Sequence, residues 1–151
     1  HFEKVKSFIA ITEQEGGKLV QGGKIHSDLG SGWYIEPTIF DNVTADMTLF
    51  QQEVFGPILA VTTFTSDEEA VALANNSSYG LAASLYTESL KRAQRVSRAI
   101  RAGTVSINGF SEGDITTPFG GFKQSGFGGR DKGLEALQQY VQTKTIWYVQ
   151  D

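Results

Sequence analysis

The segment from residue 58 to residue 107 alternates strand-like and helix-like patterns, and this alternation constrains the fold more than any other feature of the chain. Its first part, residues 58–64 (ILAVTTF), is a dense run of apolar and β-branched residues, which predicts a strand buried on both faces. A capping box at Ser66–Glu69 predicts a helix that runs to about residue 76. The pattern continues with a strand over 81–86, a helix over 88–102 capped by Thr87, and a strand over 104–107. This order predicts parallel βαβ units with right-handed crossovers, and therefore an α/β fold.

Shorter patterns flank this segment. The last one, residues 143–149 (TKTIWYV), is apolar and β-prone and has no obvious partner nearby in the sequence. An unpaired apolar strand is an aggregation risk, so we expect another chain or segment to pair with it. The other flanking predictions are a helix over 2–15 that ends at Gly16-Gly17, strands over 18–20 and 33–36, and a helix over 132–140.

The composition excludes several classes of function. The 151-residue chain carries a net charge of −4 and its basic residues are scattered, which argues against a nucleic-acid-binding surface. Its apolar runs are all shorter than the ~20 residues that span a bilayer, so we expect no membrane association. The chain has no cysteine, and its two histidines, His1 and His26, have no second ligand at metal spacing, so no metal site is predicted. Because the sequence starts at His1 and not at Met, we expect it to be part of a longer protein.

The residues Gln52 to Pro57 (QEVFGP) directly precede the predicted strand over 58–64. A loop at the mouth of a parallel sheet is where α/β folds usually bind ligands. A carboxylate at Glu53 beside an exposed aromatic at Phe55 would suit a ribose hydroxyl and a flat ring. The alternative is a capped loop with Phe55 buried in the core, since buried phenylalanine is common.

A glycine-rich stretch, residues 118–133, follows the last predicted strand. Glycine at this density permits positive φ angles and close backbone approach, as in phosphate-binding loops. The stretch lacks the Gly-Lys-Ser/Thr ending of such loops, and no strand precedes its Gly126-x-Gly128 fragment. A packed turn that joins the sheet to the final helix is therefore the preferred interpretation.

Four segments in this order and spacing resemble the aldehyde dehydrogenase family, and the resemblance extends over the whole chain. It implies a partial catalytic domain, a three-layer αβα fold with a mostly parallel sheet, over residues 1–142. It also implies that residues 143–151 form an oligomerisation strand, which would make the protein a homo-oligomer. The four segments are QQEVFGP (51–57), ANNSSYGLAA (74–83), AGTVSIN (102–108) and PFGGFKQSG (118–126).

The resemblance also implies roles for individual residues. Glu53 matches the glutamate that binds the nicotinamide-side ribose, Phe55 the aromatic that packs near the nicotinamide, and Lys4 a position that also reaches that ribose. Phe119 matches the aromatic that lines the aldehyde tunnel, and the loop over 108–117 matches the segment that shapes substrate choice. The cofactor implied is NAD or NADP. The family's cysteine nucleophile and general-base glutamate are expected before His1, so we expect the chain alone to be inactive, and the implied location is cytoplasmic.

Glu112 and Asp114 place two carboxylates in the loop expected at the tunnel mouth. They form either a solvated turn or a site that attracts the amino or guanidino end of a small-molecule aldehyde. The resemblance favours the branch that acts on aminoaldehydes from polyamine and arginine breakdown, such as γ-glutamyl-γ-aminobutyraldehyde or 4-guanidinobutyraldehyde.

Asp131 stands where many members carry a glutamate that assists the proton pathway, and we interpret it as a helix N-terminal aspartate favoured by the helix dipole.

Two other functions stay open at this point. The chain is alternatively a non-catalytic interaction module that pairs through residues 143–149. A third possibility is an independent nucleotide-binding domain. This possibility predicts measurable affinity of this chain alone for NAD. We expect no such binding, because the resemblance places most of the dinucleotide site outside the chain.

Overall fold

The computed structural model describes residues 1–110 and 113–150, and the chain divides into two compact units. The first unit is His1–Ser77 and the second is Ser78–Asp151. The α/β class predicted from the sequence is confirmed, since both units combine helices with strands in parallel pairs.

The first unit is built on an opening helix, α1 (Phe2–Gln14). Its apolar side chains recur at helical spacing, and the resulting stripe is the buried face, as predicted. The helix ends before Gly16, whose φ of +98° belongs to the left-handed region that glycine adopts at helix ends. The core of this unit consists of Val5, Phe8 and Ile9 of the helix with Phe40, Val43, Met47, Leu49 and Val54.

The strands of the first unit form two sheets. They are β1 (Lys18–Gln21), β2 (Ile25–His26), β3 (Tyr34–Ile35), β4 (Thr38–Asp41) and β5 (Ile58–Ala60). The larger sheet has the order β1-β4-β5, and its central strand pairs antiparallel with β1 and parallel with β5. The smaller sheet is an antiparallel hairpin of β2 and β3.

Strand β5 differs from its prediction in length and in burial. It spans three residues of the predicted seven, and Leu59 at its centre is 57% exposed, so the prediction of a strand buried on both faces is wrong. Ile58 and Ala60 pack against the core, whereas Leu59 points to the opposite face. The period-2 alternation of a strand separates these two faces, and an apolar run does not reveal that only one of them is covered.

Two further helices complete the first unit. The carboxylate of Glu15 accepts hydrogen bonds from the backbone N–H and the hydroxyl of Thr48, at 2.7 and 2.5 Å, and so holds the start of α2 (Thr48–Gln51). The predicted cap at Ser66 is confirmed, because its hydroxyl accepts from the Glu69 N–H at 3.1 Å at the start of α3 (Asp67–Asn75). The Glu69 carboxylate reaches back and accepts from the Thr65 N–H at 2.7 Å, one residue before the N-cap.

The second unit contains one complete βαβ crossover. Strands β6 (Ala82–Leu85) and β7 (Thr104–Ile107) are parallel and are joined by α4 (Leu90–Ala99). The predicted crossover between them is confirmed. By contrast, β5 pairs with β4 in the first unit and β6 pairs with β7 in the second, so the predicted parallel unit of β5, α3 and β6 extends over both units and stays a prediction.

The N-cap of α4 is Ser89 and not Thr87. The Ser89 hydroxyl accepts from the Arg92 N–H at 3.3 Å, and the Thr87 hydroxyl accepts from the Ser89 N–H at 3.2 Å. The helix therefore begins two residues later than predicted and places Leu90, which is 72% exposed, outside the buried face of Ala93 and Val96. Two cap-forming residues two positions apart leave the first turn ambiguous in the sequence.

The end of the second unit carries 3-10 turns and an extended segment. The predicted helix over 132–140 is a 3-10 helix at Leu134–Tyr140, preceded by another 3-10 turn at Lys123–Ser125. Residues 141–150 form neither helix nor strand, and Trp147 is 84% exposed. The oligomerisation strand at 143–151 thus stays a prediction, since pairing with a second chain is its defining property.

The β2–β3 hairpin holds a histidine between two carboxylates. His26 Nδ1 lies 3.2 Å from Asp28 Oδ1, and its Nε2 lies 2.9 Å from Glu36 Oε1. Hydrogen bonds to Glu36 and Asp28 raise the pKa of His26, and the bond from His26, with the nearby charge of Lys24, lowers the pKa of Glu36. A neutral imidazole has one N–H, so only the imidazolium donates to both carboxylates.

This geometry predicts a pH-dependent contribution to stability. The raised pKa of His26 contributes stability below its ordinary value of 6.5, which is lost as pH rises through the folded value. The lowered pKa of Glu36 contributes stability above 4.5, which is lost as pH falls through the folded value. We therefore expect His26→Gln to lower the urea midpoint more at about pH 5.5 than at about pH 9. The same loss at both pH values would contradict the paired geometry.

Candidate functional site

The loop that precedes β5 turns one hydrophobic side chain inward and the next one outward. Val54 is 7% exposed and belongs to the core, whereas Phe55 is 71% exposed. Phe55 has a φ of +55°, a left-handed conformation that is uncommon for an aromatic residue and is enriched at functional sites. The interpretation that buries Phe55 in the core is therefore wrong.

This loop packs on the first turn of α1. A Cβ at Gly56 would lie 2.6 Å from a methyl carbon of Val5, so the glycine permits the close approach. The Nε2–H of His1 donates to the carbonyl of Phe55 at 2.6 Å, with the tautomer assigned from this contact. The structure thus holds the helix turn that carries Lys4 against the loop that carries Glu53 and Phe55.

The predicted cofactor residues all present their side chains to solvent. Glu53 and Lys4 are exposed, and the Lys4 ammonium lies 6.0 Å from the centre of the Phe8 ring. A carboxylate suits ribose hydroxyls as a hydrogen-bond acceptor, an ammonium suits them as a donor, and an exposed ring suits a flat heterocycle. These residues therefore fit the nicotinamide end of a dinucleotide.

A pocket of about 310 Å³ adjoins Phe55, and the sequence did not indicate it. Trp33 forms one wall and packs against Phe2, with 4.9 Å between the ring centres and the ring planes tilted by 40°. The sequence signal for this pocket was Phe2, an apolar residue that continues the stripe of α1 although no residue nearby in the sequence could cover it. The lining residues are His1, Phe2, Val5, Trp33, Ile35, Phe55, Gly56 and Pro57.

In the second unit, Phe119 is half-buried and belongs to a backbone bridge. Its N–H and carbonyl both pair with Asp131 at 2.7 Å, and the Lys132 ammonium lies 5.2 Å from the centre of its ring. Phe119 lines a pocket of about 250 Å³ together with Phe110, a residue of the predicted substrate loop that sequence reasoning did not single out. The other lining residues are Leu81, Ala82, Ala83, Ser84 and Ser106.

Of the two predicted loop carboxylates, Asp114 is exposed and engaged in a local turn. One oxygen, Oδ1, accepts from the N–H and the hydroxyl of Thr116 at 2.8 and 2.6 Å. These hydrogen bonds, with smaller contributions from Thr117 and the charge of Lys132, lower the pKa of Asp114. The group is therefore ionised at neutral pH. Glu112 lies outside the described residues.

The glycine-rich stretch packs against the strand ends of the second unit. The Gly80 N–H donates to the Ser125 hydroxyl at 3.1 Å, and the Phe122 N–H donates to the Gly80 carbonyl at 2.8 Å. A Cβ at Gly121 would lie 2.3 Å from the Ser125 carbonyl oxygen. Because the backbone is used in these contacts, the packed-turn interpretation fits the stretch better than a phosphate cradle.

The helix-dipole interpretation of Asp131 is wrong. The 3-10 helix that follows starts at Leu134, and Glu135 is the acidic residue of its first turn. Asp131 instead pairs with Phe119 through its backbone, and its Oδ1 accepts from the Gln139 amide at 2.9 Å. Asp131 therefore supports the segment that carries Phe119.

The described residues offer neither a metal site nor a membrane-spanning helix. Within residues 1–110 and 113–150, no three His, Asp or Glu side chains group closely enough to hold a metal ion. Over the same ranges, none of the helices has the length and apolar character that crossing a membrane requires.

Comparison with known proteins gives consistent matches along the chain. The family model of the aldehyde dehydrogenase family matches residues 1–146. An aminoacetaldehyde dehydrogenase from Pseudomonas aeruginosa is 51% identical over 147 residues, which are 97% of this chain and 29% of that protein. The NADP/NAD-dependent aldehyde dehydrogenase PuuC from Escherichia coli is 48% identical over 97% of this chain and 29% of its own length.

A solved structure agrees with these sequences. The crystal structure of an indole-3-acetaldehyde dehydrogenase complexed with NAD+ superposes with a TM-score of 0.91 at 48% identity. The match covers 97% of this chain and 30% of that one. The chain thus spans less than a third of the length of the relatives it matches.

Proposed function

The chain belongs to the aldehyde dehydrogenase family, and on that premise we propose that the protein containing it oxidises an aldehyde to the carboxylic acid with NAD or NADP. The observation that carries this proposal is the outward-turned Phe55 beside Glu53, on a loop anchored by buried Val54. An exposed ring and an exposed carboxylate on a loop that a rigid core holds in place are available to a ligand.

Three residues of this chain would hold the nicotinamide end of the cofactor. The Glu53 carboxylate accepts hydrogen bonds from the ribose hydroxyls, and Lys4 reaches the same ribose as a donor. The Phe55 ring packs near the nicotinamide and limits its orientation. When bound, NAD or NADP would supply the hydride acceptor that the oxidation needs. These residues would fix the position of the nicotinamide ring. Correct orientation of the ring would then contribute to the rate of the oxidation.

The chain has no cysteine. We therefore place the thiolate nucleophile outside this chain, together with the general-base glutamate that the resemblance implies, and we expect the chain alone to be inactive. A thiolate nucleophile also favours a cytoplasmic location, because thiols stay reduced there.

The aldehyde would reach the reaction centre past Phe119, in the pocket of the second unit. The apolar walls of this pocket suit the methylene or ring part of an aldehyde. For the far end of the substrate we propose an amino or guanidino group, drawn by ionised Asp114 and by Glu112. Relatives named for aminoacetaldehyde and betaine aldehyde support this class, which includes γ-glutamyl-γ-aminobutyraldehyde and 4-guanidinobutyraldehyde.

Replacement of Asp114 by Asn in the full-length protein tests this substrate class. We expect KM for cationic aldehydes to rise up to about fivefold relative to KM for propanal, since an exposed ion pair contributes up to about 1 kcal/mol. Steady-state kinetics with 4-aminobutyraldehyde, 4-guanidinobutyraldehyde and propanal, each with NAD and with NADP, measures the preference for a charged aldehyde and the preference between the two cofactors. Equal changes for charged and uncharged aldehydes would contradict the role of Asp114 and leave the general reaction in place.

We further propose that residues 143–149 form the strand through which the protein assembles as a homo-oligomer. Exposed Ile146 and Trp147 support this, because apolar side chains on an extended segment favour pairing with another strand. The same observation supports the second candidate function, a non-catalytic interaction module. Aldehyde oxidation by the full-length protein decides between the two.

A further inference from the structure

The side chain of Asn108 ties the ends of the two parallel strands of the second unit. Its Oδ1 accepts from the Thr87 N–H at 2.8 Å, and its Nδ2 donates to the Thr87 carbonyl at 2.9 Å. Its own N–H donates to the Leu85 carbonyl at 2.8 Å. The amide thus adds one more rung beyond the last residues of β6 and β7.

Asn108 is also where the chain turns away from β7. Its φ of +55° lies in the left-handed region, which asparagine enters more readily than most residues. Ser106, two residues before it, and Phe110, two residues after it, both line the pocket of about 250 Å³. The direction in which the chain leaves Asn108 therefore sets where Phe110 stands relative to the strand wall.

Phe110 has little packing of its own to hold it. Its residue surface is 87% exposed, so neighbouring side chains restrict it weakly. A Cβ built at the adjacent Gly109 would have no atom within 4 Å, so packing around Gly109 does not hold Phe110 either. Among the described residues, the backbone turn at Asn108 is the constraint that the structure shows on the position of Phe110.

We propose that Asn108 is a positioning residue that sets the width of this pocket, and with it the selectivity among aldehydes by the size of their apolar part. The inference rests on the proposed function, because it assigns the pocket to the aldehyde. The ring of Phe110 closes on an aromatic or long aliphatic substrate and does not reach a short one. Ser84 and Ser106 are the polar residues in an otherwise apolar lining, so the ligand class is an apolar aldehyde tail.

The test is Asn108→Gly in the full-length protein. Glycine accepts the left-handed φ, so the substitution removes the amide tie without adding backbone strain. We expect the ratio of KM for phenylacetaldehyde to KM for propanal to rise about tenfold, with the change in KM and not in kcat. Asn108→Asp retains the acceptor for the Thr87 N–H and loses the donor, so an intermediate ratio is expected.

Asn42→Gly is the matched control. Asn42 is an exposed asparagine with a φ of +57° in the first unit, and it does not line this pocket. It shares the backbone conformation of Asn108, and its replacement is expected to leave the KM ratio unchanged. An unchanged ratio in Asn108→Gly, or the same rise in Asn42→Gly, would overturn the positioning role.

Hydrogen exchange separates this inference from the proposed function. Asn108→Gly is expected to speed exchange of the Thr87 amide relative to Asn42→Gly, whether or not the protein is active. If the wild-type protein oxidises no aldehyde, the proposed function fails and the pocket-width role fails with it, even where exchange confirms the tie. If the protein is active but neither exchange nor the KM ratio changes, the positioning role alone is overturned.

Discussion

Replacing Gly103 with alanine is expected to destabilise the second unit by about 3 kcal/mol or more. A Cβ at this position would lie 1.6 Å from the carbonyl oxygen of Gly120 and 3.4 Å from that of Leu81. The nearest atoms belong to backbone, so no side-chain rotation relieves the overlap. The glycine-rich stretch would have to move away from the start of β7 and take Phe119 with it.

Gly109→Ala is the matched control for this prediction. No atom lies within 4 Å of a Cβ built at Gly109, and its φ does not fall in the left-handed region. We expect its free energy of unfolding to stay within about 0.5 kcal/mol of wild type. Urea denaturation of the purified chain measures both variants, and equal losses would show that the contact between Gly103 and Gly120 does not hold the loop.

Phe40→Ala is expected to cost the first unit about 3–5 kcal/mol, because it leaves a cavity in a closed core. Phe40 lies in the central strand β4, is 0% exposed and packs in the cluster formed with α1. Phe127→Ala provides the comparison, since Phe127 is fully exposed at 106% and has no packing to lose. Comparable urea midpoints for the two variants would refute the assignment of the core.

Local signals predicted several elements well. The stripe of Val5, Phe8 and Ile9 gave α1 its buried face, and the pair Ser66–Glu69 marked the start of α3. These signals depend on residues three or four apart, and their physical effect acts within one helix turn. Periodicity and caps therefore sufficed where the contacts were local.

Long-range contacts were the part that the sequence did not indicate. The apolar run at 58–64 predicted a strand covered on both faces, but pairing with β4 and packing on the core leave Leu59 exposed. The ring contact of Trp33 with Phe2 and the hydrogen bond of His26 with Glu36 join residues 10 or more positions apart. No spacing rule encodes such pairs, because chain topology brings them together.

The same contrast between local signals and long-range contacts applies to the candidate site residues. The resemblance selected Glu53, Phe55 and Phe119 because they sit in short, recognisable segments. The structure added that Phe55 is turned outward in a left-handed conformation and that Phe119 pairs with Asp131. Asn108 was visible as the start of a loop, but its amide bridge to Thr87 spans 21 positions and required the fold.

We propose that this chain supplies one part of a nicotinamide-dependent aldehyde oxidation site. The measurement that tests it most directly is the absorbance of reduced cofactor formed by the full-length protein with an aldehyde and NAD or NADP, beside the same assay on the 151-residue chain alone. We predict steady cofactor reduction by the full-length protein and none by the chain. No reduction by the full-length protein with any aldehyde of the panel, or turnover by the cysteine-free chain, would contradict the account.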